Sequence, residues 1–254
     1  MNERLNEIRR NNRGTPMRII KYNNSQDIDI EFLDEYHYIK EHQTYRNFQR
    51  GSVKNPYDKN ICGIGYLGDG EFRCKYPDGT HTTEYRHWIS IMRRCYDTKR
   101  KDMYSAYCGN CEVCDEWHNF QTFSKWYETY GYQVDTERMH IDKDILYPGN
   151  KIYSPQTCLI VPQRINMIFT NKGNKRGLPN GIMQVGDKYS ARYNLVELGV
   201  YDSLEEAYTI YARAKENHIK QVADEYKNKI PVYVYDALYN YKVDIRNDKN
   251  LMAA

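Results

Sequence analysis

The chain has 254 residues, of which 28% are charged, and a formal net charge of +3. That length fits one to three domains, and so small a positive excess does not mark a nucleic-acid binder by itself, so local clusters must carry any such claim. No apolar run of about 18 residues is present to span a membrane, and the opening MNERLNEIRRNNRGTP lacks the apolar stretch of a secretory signal. A cytoplasmic location is therefore expected, with the seven cysteines held as thiols or metal ligands rather than disulfides.

Residues 1–16 read as a basic, mobile arm carrying Arg4, Arg9, Arg10 and Arg13. Residues 17–33 read as two strands around Asn23-Asn24-Ser25, because Ile28, Ile30 and Phe32 alternate with polar residues. Thr44–Arg50 reads as a short helix with Tyr45 and Phe48 inward, closed by Gly51. With the Gly-rich loops that follow, residues 1–70 form a small β-rich module and a candidate DNA-binding element.

Residues 84–130 read as helical. Trp88, Met92 and Cys95 share one face, and Trp117, Phe120, Phe123, Trp126, Tyr127 and Tyr130 recur at about helical spacing. This aromatic stripe is read as core. Arg93 and Arg94 are either phosphate-steadying residues or helix-surface charges. Within the same region Cys108, Cys111 and Cys114 form a C-x-x-C-x-x-C run. Such knuckles hold structural Zn²⁺ when a fourth ligand is supplied. Cys95, His118 or Cys158 could supply it, and the alternative is a set of free thiols.

The stretch Met139–Asn166 is the most informative. It holds His140, Asp142, Lys143 and Asp144, a Gly149-Asn150 turn, a strand-like run at Lys151–Ser154, and an apolar segment ending at Asn166. This order reads as a hairpin followed by a helix, with polar residues returned to one point from both ends. A divalent cation over a phosphodiester needs such a set: a few oxygen or nitrogen ligands and a nearby proton acceptor.

Asp142-Lys143-Asp144-Ile145 and Thr157–Asn166 resemble the HNH nuclease family in its phage and intron-encoded homing-endonuclease branch, with Val161 and Asn166 at the family's spacing. The resemblance covers roughly residues 84–170. It implies a ββα-metal fold and Mg²⁺ or Mn²⁺ held by Asp142 and Asn166. It also implies a catalytic set of His140, Asp142, Asp144 and Asn166. Two departures stand out: the family's general-base His falls on Asp142, and its central Asn falls on Thr157. His140 lies two residues earlier and would share a strand face with Asp142. Either Asp142 binds metal and His140 takes the proton from water, or Asp142 is itself a carboxylate base or the site has lost cutting. A carboxylate is the weaker base near neutral pH.

Residues 171–179, NKGNKRGLP, read as a basic linker with Lys172, Lys175 and Arg176 placed to cross a DNA backbone. Short strands follow at 182–185, 189–195 and 196–200. A helix then starts near Asp202-Ser203, where Ser203 and Glu206 make a capping-box signature. Its apolar side is read as Ala207, Tyr211, Ala214 and His218. Pro231–Tyr235 reads as a further strand.

Gly181-Ile182, Tyr189–Tyr193 and Leu198–Tyr211 resemble the plant ethylene-response-factor (Apetala-type) DNA-binding domain, which also occurs beside HNH domains in phage endonucleases. The resemblance implies three strands packed on one helix, with Gln184, Lys188, Arg192 and Tyr193 as DNA contacts. Glu197 and the scarcity of cations between Arg192 and Leu198 depart from the family pattern.

The sequence thus predicts a modular α+β protein: residues 1–70 as above, an HNH-like domain over 71–170, and an Apetala-type domain with a C-terminal tail over 171–254. The expected function is metal-dependent cutting of double-stranded DNA, in the cytoplasm of a bacterial host. The alternative is a catalytically degenerate HNH scaffold that only binds DNA, as a regulator or counter-defence factor.

Overall fold

A computed structural model describes residues 3–100, 102–103, 107–170, 177–248 and 250. The fold is α+β, with several small sheets and six α-helices among the described residues. Two compact units divide the chain, Met1–Glu128 and Thr129–Ala254. No helix of the described residues is long and apolar enough to cross a membrane.

The first unit opens with a four-stranded antiparallel meander, β1 (Ile8–Arg10), β2 (Pro16–Asn24), β3 (Asp27–Phe32) and β4 (Ile39–Gln43), in that spatial order. The basic arm expected over residues 1–16 is therefore tied down. Ile8, Arg9 and Arg10 pair with Arg18, Met17 and Pro16. Backbone hydrogen bonds to a neighbouring strand hold a segment whose side chains remain exposed, and composition does not reveal such pairing. Met17, Ile19, Ile28, Ile30 and Phe32 point to one face and bury completely with Phe48. Phe48 comes from α1 (Tyr45–Gln49), capped by the Thr44 hydroxyl accepting from Asn47 N–H. Gly51 closes it at φ +66°, where a Cβ would lie 2.9 Å from the Arg10 carbonyl oxygen.

The region expected to be helical throughout divides into α2 (Thr83–Tyr96) and α3 (Phe120–Tyr130). Between them the backbone turns at Gly109 (φ +82°) and forms the two-residue strand β5 (Glu112–Val113) and a 3₁₀ turn at Asp115–His118. The aromatic stripe is core as expected: Trp88, Trp117, Phe120 and Phe123 have no exposed surface. The Trp88 indole N–H donates to the Trp117 carbonyl at 2.7 Å, pinning α2 to the segment before α3. Tyr130, at the far end of the stripe, is exposed.

In the second unit β6 (Met139–Asp142), β7 (Ile152–Tyr153) and β8 (Leu159–Pro162) precede α4 (Gln163–Ile168). The hairpin partner of β6 is β8, not the expected run at Lys151–Ser154. Met139, His140, Ile141 and Asp142 pair antiparallel with Pro162, Val161, Ile160 and Leu159. All four β8 residues are buried, so the strand shows no alternation and reads as a buried helix segment. α4 follows without a linker and packs on β6 and β8. The result is a ββα unit.

A second layered element follows. β9 (Ile182–Val185), β10 (Lys188–Tyr193) and β11 (Val196–Tyr201) form an antiparallel sheet in the order β11-β10-β9, with a bulge after Ala191. α5 (Leu204–Tyr226) packs on it, burying Ala207, Tyr208, Tyr211 and Ala212 against Ile182 and Ala191. Ser203 caps α5 by accepting from Glu206 N–H at 3.2 Å. Ala214 and His218, read as apolar-side residues, are half-buried at its margin. The segment expected as a strand from Pro231 is instead α6 (Val232–Tyr239). Its Val-Tyr-Val-Tyr alternation mimics a strand, but Val234 and Leu238, four residues apart, are the ones that bury.

Candidate metal and nucleic-acid site

Asp142 and Asp144 sit on a loop built around a buried lysine. Lys143 is 4% exposed. Its ammonium donates to both Asp144 carboxylate oxygens, at 3.0 and 2.9 Å, and to the Asn150 carbonyl. The Asn150 amide answers by donating to the Lys143 carbonyl at 2.9 Å and the Ile152 carbonyl at 2.7 Å. Asp142 Oδ1 accepts the backbone N–H groups of Asp144 and Ile145, each at 2.8 Å. Thr157 donates its hydroxyl to the Ile152 carbonyl at 2.8 Å and pairs with the Ser154 hydroxyl. The loop is thus a closed polar knot, and two of its acidic groups already have structural partners.

On β6 the pattern is buried, half-buried, buried, half-buried. Met139 and Ile141 take the core side, so His140 and Asp142 share the other face, as the spacing required. Burial pushes the Asp142 carboxyl up, and the nearby Asp144 charge adds to this, while the two amide hydrogen bonds oppose it. Asn166 lies in α4, half-buried. Its backbone carbonyl accepts from Phe169 N–H, and among the described residues its side-chain amide has no hydrogen-bond partner.

Two further residues close in on this loop. The Tyr241 ring meets Phe169 edge-on at 4.8 Å between centroids. Burial and the charges of Asp142 and Asp144 push its phenol up to about 12. A Cβ on Gly149 would sit 3.6 Å from Asn247 Oδ1. The segment after α6 therefore lies beside the acidic loop. Sequence reasoning missed Lys143 and Tyr241 in these roles. The only signals were a lysine between two aspartates and the Tyr-rich composition, 26 of 254 residues.

Mg²⁺ and Mn²⁺ take hard oxygen ligands. The Asp142 carboxylate has one oxygen outside the loop's hydrogen bonds, and among the described residues the Asn166 side-chain amide has no hydrogen-bond partner, so both offer an oxygen of the kind these ions take. Zinc is different. Cys95, Cys108 and Cys111 are buried and Cys114 is half-buried. Among the described residues, only Asp27, Asp29 and His42 bring three His, Cys, Asp or Glu ligand atoms all within 4.8 Å of one another. His118 Nε2 is engaged with the Val113 carbonyl at 3.0 Å. Cys158 lies in the second unit, its buried thiol pushed up to about 12.

The expected DNA contacts separate. Arg192 and Lys188 are exposed and alternate with buried Ala191 on β10, so they project from the face away from α5. Lys188 Nζ is 2.7 Å from Asp202. Arg192 stands opposite Glu197 across the ladder and, among the described residues, makes no ion pair. Tyr193 lies on the other face. Its hydroxyl bonds to His218 Nδ1 at 2.7 Å, and its ring packs edge-on against Tyr211. The strand's period of two puts Tyr193 with Tyr189 and Ala191 on the helix side, which corrects its reading as a DNA contact. Gln184, two residues from buried Ile182 on β9, also falls on that side, at the exposed strand end. Arg93 is exposed and Arg94 half-buried on the last turn of α2, with Arg94 5.8 Å from the Tyr107 ring centroid. Lys172, Lys175 and Arg176 lie outside the described residues.

No protein-family model matches the chain, and no curated protein or solved structure matches it either.

Proposed function

We propose that the protein is a metal-dependent DNA endonuclease of the HNH type. The observation that carries this reading is the ββα unit. Its first strand presents His140 and Asp142 on one face, and α4, packed on that strand, carries Asn166. Asp142 and Asn166 would hold Mg²⁺ or Mn²⁺, which supplies charge stabilisation at the scissile phosphate. Asp142 is oriented for this by the Asp144 and Ile145 amides, which fix one carboxylate oxygen and leave the other to bind. His140 would accept the proton of the attacking water, as the one imidazole on that strand face. Asp144 does not take this part, because its carboxylate is neutralised by Lys143. The sheet face bearing Arg192 would place the nuclease on the duplex, with the cation giving affinity through phosphate contact.

The second reading, a scaffold that binds DNA without cutting, draws on the same loop. Both aspartates serve its architecture, and an Asp stands where the family has its base. Mn²⁺ binding, followed by electron paramagnetic resonance with duplex present, tests the choice. Binding that is lost in Asn166→Ala but kept in Arg93→Gln supports the nuclease. No Mn²⁺ binding by the intact chain favours the scaffold.

A further inference from the structure

The first unit holds a cluster of three metal-ligating side chains on its opening sheet. Asp27 and Asp29 stand two apart on β3, on the face opposite Ile28, Ile30 and Phe32, whose side chains fill the core. His42 comes from the neighbouring strand β4. Between the pairs Ile28–Gln43 and Ile30–Lys40, β4 holds one residue more than β3, so the ladder bulges at Glu41-His42. His42 takes φ +53° there, and its Nδ1 comes to 2.8 Å from Asp27 Oδ1. Its backbone N–H donates to Asp29 Oδ1 at 3.0 Å. An imidazole nitrogen and one oxygen from each carboxylate then lie within 4.8 Å of one another.

The set differs from an ordinary patch of surface acids in two ways. Asp29 is only 7% exposed, yet among the described residues its Oδ2 accepts no hydrogen bond. Lys21 Nζ stands 3.6 Å from that oxygen, past hydrogen-bond range, on a side chain that is itself 58% exposed. A carboxylate oxygen held out of water is costly without a closer partner. The donor set is also mixed. Two carboxylate oxygens with an imidazole nitrogen make a three-ligand set of the kind Zn²⁺ takes, with water in the fourth position. Bonds of about 2.0–2.2 Å to the ion put neighbouring ligand atoms about 3–3.5 Å apart, inside the separation found here. Asn23 Nδ2 holds the other Asp27 oxygen at 2.6 Å, which orients that carboxylate. Against the two carboxylates stands one lysine, so the cluster keeps a net negative charge when His42 is neutral.

We propose that Asp27, Asp29 and His42 form a Zn²⁺ site that clips the edge strand β4 to β3. The ion takes the place of the proton between His42 Nδ1 and Asp27 Oδ1, which passes to solvent. Mg²⁺ prefers oxygen ligands and takes an imidazole nitrogen poorly, so the site differs in metal preference from the oxygen donors of Asp142 and Asn166. The test follows the His42 ring signals, identified with His42→Gln, by proton NMR of the chelator-stripped full chain as Zn²⁺ is added in excess Mg²⁺. Because the readout is local, Zn²⁺ taken up by cysteines does not enter it. In wild type the signals are expected to move to a saturating limit with Zn²⁺ and to stay in place with Mg²⁺ alone. Asp27→Asn and Asp29→Asn are each expected to weaken that affinity by at least about tenfold, the least that loss of a supporting group costs a metal site. Asp27 is half-buried, so Asp27→Asn carries the test if the buried Asp29 does not tolerate replacement. Signals unmoved by Zn²⁺ overturn the inference, as does equal affinity in Asp27→Asn, the mark of an exposed imidazole acting alone. Movement by Mg²⁺ as strong as by Zn²⁺ shows general attraction of cations and overturns it too. None of these outcomes bears on the nuclease reading.

Discussion

Lys143 Nζ lies 2.9 Å from Asp144 Oδ2, although the lysine side chain keeps only 5% of its surface exposed. A charge so enclosed is tolerated only with partners. Here it has the carboxylate, the Asn150 carbonyl and the Tyr153 ring face at 5.8 Å. The lysine therefore fixes where Asp144 stands.

Replacing Lys143 by Met leaves Asp144 and the Asn150 carbonyl without their donor. A stability loss of about 3 kcal/mol is expected in chemical denaturation, the order measured when one partner of a buried pair is removed. A loss below about 1 kcal/mol would show the loop to be held by its backbone turns alone.

Asp142 makes a pH-dependent prediction. Its folded carboxyl is pushed above the ordinary value of 3.8 by burial. A raised carboxyl contributes stability in its protonated form, present below the unfolded value and lost as pH rises through the folded one. Asp142→Asn keeps an oxygen for the two amides and removes the buried charge. In metal-free buffer at neutral pH it is expected to unfold at or above the wild-type temperature. Asp142→Ala is expected to lose about 1–2 kcal/mol. Equal losses in both variants would contradict this account.

His42 and Asp27 form a second titrating pair, with Nδ1 2.8 Å from Oδ1. The hydrogen bond to Asp27 raises the imidazole above 6.5. Hydrogen bonds from Asn23 and His42 lower the Asp27 carboxyl below 3.8. The imidazolium's contribution is complete below 6.5 and fades as pH rises through its folded value. The carboxylate's contribution is present above 3.8 and fades as pH falls through its own lowered value. Proton NMR should find His42 titrating above 6.5 in wild type and returning toward it in Asp27→Asn.

The two faces of β10 separate folding from binding. Tyr193→Phe removes the hydrogen bond to His218 and should cost about 0.5–1.5 kcal/mol of stability while leaving duplex affinity unchanged. Arg192→Gln should do the reverse, leaving the melting temperature in place and weakening duplex binding. Weaker binding in Tyr193→Phe with unchanged stability would place the tyrosine on DNA after all.

Much of this was legible in the sequence because local signals agreed with tertiary ones. Ser203 caps the helix it was read to cap, a short helix follows Thr44 as read, and the alternation at Ile28–Phe32 is a strand whose Ile28, Ile30 and Phe32 bury. The shared face of His140 and Asp142 follows from spacing alone. The failures come where burial removed the period. Leu159–Pro162 is buried on both sides, so it reads as helix. Val232–Tyr235 alternates by type but buries at helical spacing. Tyr193 went to the wrong face because an aromatic hydroxyl suits both DNA and a half-buried hydrogen bond. Lys143 was invisible because a lysine between two aspartates reads as surface charge until the chain closes over it.

Cutting itself tests the central claim most directly. Supercoiled plasmid incubated with the purified full chain and Mg²⁺ or Mn²⁺ should be nicked. Nicking should be abolished by EDTA, by Asp142→Ala and by Asn166→Ala, and slowed strongly in His140→Ala, with Arg93→Gln unaffected. Duplex binding with no metal-dependent nicking in either ion would contradict the nuclease reading and leave a DNA-binding scaffold.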